Sequence, residues 1–274
     1  MVVGKSVGII GVGTIGSGVA KICAACGHEV VLFDLVSEKA ARVVDEISAA
    51  GHPERVKVAK NLKGLAKCNI IFEALPDDPK AKIELFRELI DKGCKPLFWA
   101  TTTSSLSVNG MARDAGLRGS LVRMHFLNPP EKMKLVEVTY SAGTDPKIAD
   151  AAKDFLASLE KSVLTSTGKS GLIAYYLYVP FLNDAIRIYE KGLASAEDID
   201  KGCCLGLGYP IGPLHYLDAM GLDAFLQISA NLYEQYKDPG FASPHLLQQK
   251  VEAGELGCKT GQGFFTYEDR GGKS

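Results

Sequence analysis

A β-branched run, Val7 to Ile10, leads directly into Gly11-Val12-Gly13-Thr14-Ile15-Gly16, a helical pattern follows to Ala25, and a second apolar run then ends in Asp34. Strand, glycine loop, helix and strand in that order form a βαβ unit of about 30 residues. Gly11 permits the tight turn, Gly13 lets backbone approach a pyrophosphate, and Gly16 lets helix and strand pack closely. Thr14, Ile15 and Gly16 open the helix, where amides lacking intrahelical partners meet the phosphates. A lone Gly-x-Gly-x-x-Gly is weak evidence in a chain with 29 glycines. Asp34 makes it specific, because a carboxylate at the end of the second strand accepts hydrogen bonds from the adenosine ribose hydroxyls. It also repels the extra phosphate of NADP, and Leu35 follows rather than a basic residue, so the cofactor expected is NAD. The competing structural reading makes Asp34 a cap for the helix starting near Ser37.

The same alternation continues through the first half. Candidate strands are Val7 to Ile10, Val30 to Phe33, Val56 to Ala59, Ile70 to Phe72, Leu97 to Ala100, Leu121 to Met124, Val136 to Thr139 and Val163 to Thr165. Helical patterns cover Ile15 to Ala25, Ser37 to Ala49, Pro79 to Lys92 and Pro146 to Leu159, the last capped by Asp145 with proline in its first turn. After Gly168-Lys169-Ser170-Gly171 strand signals stop, and Leu172 to Tyr189, Ala196 to Cys204, Leu222 to Tyr236 and Leu246 to Ala253 read as helices. The predicted fold class is α/β: an N-terminal Rossmann-type, doubly wound and mainly parallel sheet over 1–169, followed by an all-α C-terminal domain over 170–274.

Composition narrows the function classes. With 31 basic and 32 acidic residues there is no electrostatic footprint for nucleic acid or an anionic membrane. The most apolar charge-free stretch, Gly171 to Asn183, contains Pro180 and is too short to span a bilayer. The start runs straight into a strand without the features of a signal peptide, so a cytoplasmic protein is expected. The 7 cysteines are scattered and read as thiols. Cys23 and Cys26 form a C-x-x-C, but inside an apolar helical run rather than at a helix start, and no His cluster or second cysteine pair completes a metal site.

Candidate catalytic residues fall at the carboxyl ends of strands, the edge where open α/β sheets bind ligands. Ser104 and Ser105 follow the strand from Leu97, and His125 ends the strand from Leu121; Glu137 lies on the next apolar run. A histidine paired with a carboxylate can take a hydroxyl proton while hydride leaves for a nicotinamide. Spacing alone leaves His125 equally readable as a structural histidine. His28, His52, His215 and His245 have no carboxylate at a matching offset with strand-end placement and read as structural or surface residues.

Several separated motifs agree in order over nearly the whole chain. The run Gly11 to Gly18, Thr103-Ser104-Ser105-Leu106, Met124-His125-Phe126-Leu127-Asn128-Pro129, Met133-Lys134-Leu135-Val136-Glu137-Val138, Ile199-Asp200, Gly212-Pro213, Asp218, Gly221-Leu222-Asp223 and Lys259-Thr260-Gly261-x-Gly263-Phe264 together resemble the L-3-hydroxyacyl-CoA dehydrogenase family. The resemblance implies that His125 is the catalytic base, Glu137 its carboxylate partner and Ser104 the serine that bonds the substrate oxygen. It places Asp77, Lys82, Ser104 and Asn128 among cofactor contacts, and Ser104, Asn128 and Tyr175 in the substrate pocket. The implied reaction is reversible oxidation of a (3S)-hydroxyacyl thioester, carried on CoA, with a homodimer formed through the helical domain. Three features depart from the family pattern, the mildest being Thr102-Thr103-Ser104-Ser105 where members usually read Asn-Thr-Ser-Ser, which keeps the serine position. Tyr175, in Gly171-Leu172-Ile173-Ala174-Tyr175-Tyr176, replaces the usual asparagine, and the segment from Asp34 to Glu73 is shorter than in typical members, which carry there a helical hairpin that helps hold CoA. A non-CoA 3-hydroxy acid or a carrier-bound acyl group therefore stays open as substrate, as does a silent NAD-binding homologue.

Overall fold

Short β-branched runs separated by helices become the strands of one sheet in the computed structural model, which describes residues 4–104, 106–166 and 173–267. Ser105 and the junction Gly168 to Gly171, with Leu172, lie outside the described residues. The chain divides into two compact units, Met1–Leu172 and Ile173–Ser274.

The first unit holds β1 (Ser6–Ile10), α1 (Thr14–Ala25), β2 (Glu29–Phe33), α2 (Ser37–Ala49), β3 (Val56–Val58), β4 (Ile70–Glu73), α3 (Pro79–Asp91), β5 (Phe98–Thr101), α4 (Val108–Asp114), β6 (Leu121–Phe126), β7 (Leu135–Tyr140), α5 (Pro146–Ser158) and β8 (Ser162–Thr165). The sheet order is β3-β2-β1-β4-β5-β6-β7-β8. Apolar clusters cover both faces. Val19, Ile22 and Phe155 from α1 and α5 pack on one face, while Phe86, Leu89 and Met111 from α3 and α4 pack on the other. This double cover is why the strands read as continuous apolar runs rather than alternating ones. Strand order reverses between β1 and β4, which opens a crevice at their carboxyl ends.

One pairing breaks the parallel pattern. β7 runs antiparallel to β6, with Met124 opposite Val138 and His125 opposite Glu137. The loop between them is too short for a crossover of a dozen or more residues, so the chain must return beside itself. Helix ends are set locally. Asp78 accepts from Lys80 N–H (2.9 Å) and Asp145 from Lys147 N–H (2.8 Å), each followed by a proline that needs no amide partner.

The second unit contains α6 (Ile173–Glu190), α7 (Ala196–Lys201), α8 (Pro213–Met220), α9 (Leu222–Tyr236) and α10 (His245–Glu252), with Val179, Leu182, Leu217, Phe225 and Leu247 in its core. Two buried carboxylates fasten its loops. Asp200 accepts from the N–H groups of Leu214 (2.8 Å) and His215 (3.0 Å) at the start of α8. Asp218 accepts from the N–H groups of Phe264 and Phe265 (both 2.9 Å) and the hydroxyl of Tyr267 (3.0 Å). No helix among the described residues is long and apolar enough to cross a membrane.

Candidate active site

The glycine loop joins β1 to α1 at the reversal point of the sheet. Gly11 has φ +86°, and a Cβ there would lie 2.7 Å from the Ala74 carbonyl oxygen. A Cβ on Gly16 would lie 1.9 Å from the carbonyl oxygen of Gly11, so helix and loop touch through hydrogen alone. Around Gly13 there is open space, and it caps α1 without any side-chain bond, so the first amides of the helix stay available to an anion. Thr14 is exposed and Ile15 half-buried at this helix start.

Asp34 is not a cap of α2, whose capping position is Val36 with no side-chain bond. Its Oδ2 accepts from Val12 N–H and its Oδ1 from Val36 N–H, both at 2.9 Å. Each oxygen keeps a lone pair for a ribose hydroxyl, and the carboxylate is tied to the loop that would hold the phosphates. Open space at Gly13, uncapped helix amides and this carboxylate together fit a dinucleotide.

His125 stands one residue before the end of β6, half-buried, and Glu137 is completely buried directly across the ladder. Opposite residues of an antiparallel pair have Cβ atoms about 5 Å apart on one face. Arg123, two residues earlier on that face, is 1% exposed and donates from Nη2 to Thr139 Oγ1 at 2.6 Å. Thr139 in turn shares a 2.6 Å hydrogen bond with Ser166. Burial, and then the Arg123 cation, push the His125 pKa down to about 4, opposed by the negative charge of Asp77. The imidazole is therefore neutral at pH 7, the form that accepts a proton.

Ser104 follows β5 and is exposed; its N–H and hydroxyl both donate to Asp77 Oδ2, at 3.1 and 3.0 Å. Lys82, on α3, is fully buried, and its ammonium donates to Glu73 Oε1 (2.6 Å) and the Leu75 carbonyl (2.9 Å), with Asp77 Oδ1 3.5 Å away. Thr101 donates to Glu73 Oε2 at 2.6 Å. Sequence reasoning missed Glu73, Thr101 and Arg123. A carboxylate closing an otherwise apolar strand was the available signal for Glu73; nothing local marks the other two. Asn128 is exposed on the loop after His125, and Tyr175 lies in the first turn of α6, packed against the helical core. His215, given no carboxylate partner from sequence, has Nδ1 2.6 Å from Asp200 Oδ2 because the fold folds α8 back onto α7. Burial raises the Cys23 thiol far above its ordinary range and raises Cys26 as well, which suppresses thiolate chemistry at the C-x-x-C.

Comparison with known families assigns the chain. Residues 6–168 match the 3-hydroxyacyl-CoA dehydrogenase NAD binding domain, and residues 171–267 match the 3-hydroxyacyl-CoA dehydrogenase C-terminal domain. The chain belongs to the 3-hydroxyacyl-CoA dehydrogenase family. It is an NAD-dependent oxidoreductase of that family. A 3-hydroxybutyryl-CoA dehydrogenase of Mycobacterium tuberculosis is 34% identical over 281 residues, covering 96% of this chain and 98% of its own. The human mitochondrial hydroxyacyl-coenzyme A dehydrogenase is 33% identical, over 96% of this chain and 91% of its own. Among solved structures of such dehydrogenases, the (S)-3-hydroxybutyryl-CoA dehydrogenase of Ralstonia eutropha superposes with a TM-score of 0.86 at 29% identity, covering 97% of this chain and 99% of that one.

Proposed function

We propose that the chain catalyses reversible oxidation of an L-3-hydroxyacyl-CoA to the 3-oxoacyl thioester, with His125 as general base, and the observation that carries this reading is the His125–Glu137 register across β6 and β7. NAD, when bound, supplies the hydride acceptor. Neutral Nε2 or Nδ1 of His125 takes the proton of the substrate 3-hydroxyl as the carbonyl forms, and the buried Glu137 carboxylate stabilises the resulting imidazolium. Ser104 places a hydroxyl at the reacting oxygen, where a donor steadies developing negative charge. Glycines 11, 13 and 16, with Thr14, Ile15 and Asp34, hold the phosphates and ribose; Asp77, Lys82 and Asn128 complete the cofactor contacts. Ser104 and Asn128 are assigned the substrate contacts of the first unit, and Tyr175 a substrate contact of the second. The functional domains run over 1–169 and 170–274.

One observation favours a second reading. Between Asp34 and Glu73 the chain builds only α2, a short turn at Pro53–Arg55, β3 and a turn at Leu62–Leu65, with no projecting hairpin to hold a CoA portion. A free 3-hydroxy acid or a different acyl carrier would suit such a site. NADH oxidation with acetoacetyl-CoA beside free acetoacetate separates the two: faster turnover of the thioester is expected, and turnover of the free acid alone would replace CoA with another substrate class. The helical unit exposes Leu177, Leu205 and Leu207 at 66–78% and is assigned the homodimer contact; the same preparation is then expected to scatter light at twice the chain mass, and a monomer would refute the dimer.

A further inference from the structure

The hairpin that carries His125 and Glu137 is closed by the loop 127–134, between β6 and β7. Pro129 and Pro130 in this loop have no N–H, so it is short of donors for its own carbonyls. The Pro129 carbonyl is met from within, by the N–H groups of Lys132 and Met133, both at 3.1 Å. Others are met from outside. Lys161, in the turn between α5 and β8, donates from Nζ to the Pro130 carbonyl at 2.7 Å and to the Met133 carbonyl at 2.9 Å. The turn that aims this ammonium is itself imposed on the chain. Glu160, just before Lys161, sits at φ +56°, a left-handed conformation that a residue with a Cβ keeps only where its surroundings hold it. Next to it the Ser162 N–H donates to the Lys134 carbonyl at 2.8 Å, where the β7–β8 ladder starts.

On its other side the loop rests on α1. A Cβ on Gly18 would lie 2.9 Å from Pro130 Cγ, so proline and helix are in direct contact, and Lys21 bridges Glu46 (2.6 Å) and Glu131 (3.8 Å). A cavity of about 390 Å³, bordered by Lys21, Ile47, Glu131 and Lys161, lies between these holds. Packed side chains do not back the loop there, so its position depends on the Lys161 bonds and the Gly18 contact.

We infer that Lys161 is a positioning residue: its ammonium locks the β6–β7 loop against α1, the helix that opens the dinucleotide site, and so fixes His125 and Asn128 relative to the glycine loop. This rests on His125 having the base role proposed above. Lys161 acts through the backbone of the loop, and displacement of a base by about 1 Å can cost on the order of 100-fold in rate. The same lock holds the strand end around the imidazole closed to water, and burial is the first cause of its neutrality. The charged and titratable groups facing His125 are Arg123 from its own strand, Glu137 from β7 and Asp77 from the loop after β4. Lys161 is not among them, so a changed titration of His125 in a Lys161 variant reports movement of the loop and not a lost charge.

The test compares Lys161→Met and Lys161→Arg with wild type, reading kcat for NADH-dependent reduction of acetoacetyl-CoA, NADH affinity by fluorescence titration, and the titration of the His125 imidazole by NMR. In Lys161→Met, kcat is expected to fall roughly 10- to 100-fold, and the His125 titration to move up by about one pH unit as water enters. NADH affinity should stay within about threefold, because Asn128 alone among the assigned cofactor contacts lies on the loop. Lys161→Arg keeps a cation with donors for both carbonyls and should restore kcat and the titration. Should Lys161→Met fail to fold, Lys161→Gln, which keeps one donor group, is expected to show the same changes at smaller size and carries the test. An unmoved His125 titration, or a kcat loss that Lys161→Arg does not recover, would overturn the inference, as would weakened NADH affinity at unchanged kcat. Wild type without turnover of any 3-oxo substrate would defeat the proposed function instead, and the His125 titration would still decide the lock.

Discussion

His125 is neutral at pH 7 because two neighbours oppose its charge: a desolvating interior and, two residues away on the same strand face, the buried Arg123. A base that must be neutral to work loses activity as pH falls through its own pKa. Oxidation of the 3-hydroxyacyl substrate is therefore expected to keep its rate down to about pH 5 and to lose it near pH 4, where an ordinary histidine would fail near 6.5. The same depression has a stability sign. The unfolded chain takes up this proton first, so stability declines as pH falls from about 6.5 toward about 4 and levels off below. Arg123→Met removes the cation and leaves Thr139 its bond to Ser166; initial rates against pH should show the acid limb moved up by roughly one pH unit. An unmoved limb would remove Arg123 from the account of His125. The histidine and its carboxylate were legible because each sits in a recognisable run. Arg123 was not, since a charge within the apolar run Leu121 to Met124 gives no hint that Thr139 and Ser166 will bury it.

At the scale of elements, apolar β-branched runs marked every strand of the sheet to within two residues, and Asp145 marked the start of α5. What sequence periodicity could not supply was direction. The antiparallel return of β7 follows from loop length, and only that return sets Glu137 across from His125. Two short helices also escaped, α4 of 7 residues and α8 of 8 residues, although Ser107 caps the first and Pro213 opens the second. The loop between β1 and α1 was the most legible element, because its glycines answer to contact rather than to periodicity. Gly16→Ala brings a methyl into the Gly11 carbonyl at 1.9 Å, so loop and helix must part. NADH affinity by fluorescence titration is expected to weaken by at least about tenfold, a loss of about 1.4 kcal/mol. Unchanged affinity would mean that this turn does not hold the phosphates.

For the whole molecule, the two units carry different kinds of sequence information. The first unit positions chemistry, and its candidate residues lie mainly on the loops that follow strands, with Lys82 on α3 and Glu137 within β7. In the second unit the motif carboxylates Asp200 and Asp218 are turned inward onto loop amides, so their legibility reports packing of helices and not a reaction. Motifs of the two units agree in order along the chain, and that order made the family legible where any one motif was weak. The substrate handle was not legible, because the short segment after Asp34 changes contacts away from the hydride chemistry and Tyr175 replaces the asparagine that the family resemblance puts in the substrate pocket. The central claim is that His125 transfers the substrate proton beside an intact NAD site. It is tested most directly by measuring NADH oxidation with acetoacetyl-CoA in wild type and His125→Ala, with NADH affinity measured on both. Turnover is expected to fall by at least about 100-fold in the variant while NADH affinity stays within about twofold; a variant that keeps wild-type turnover would contradict the role of His125.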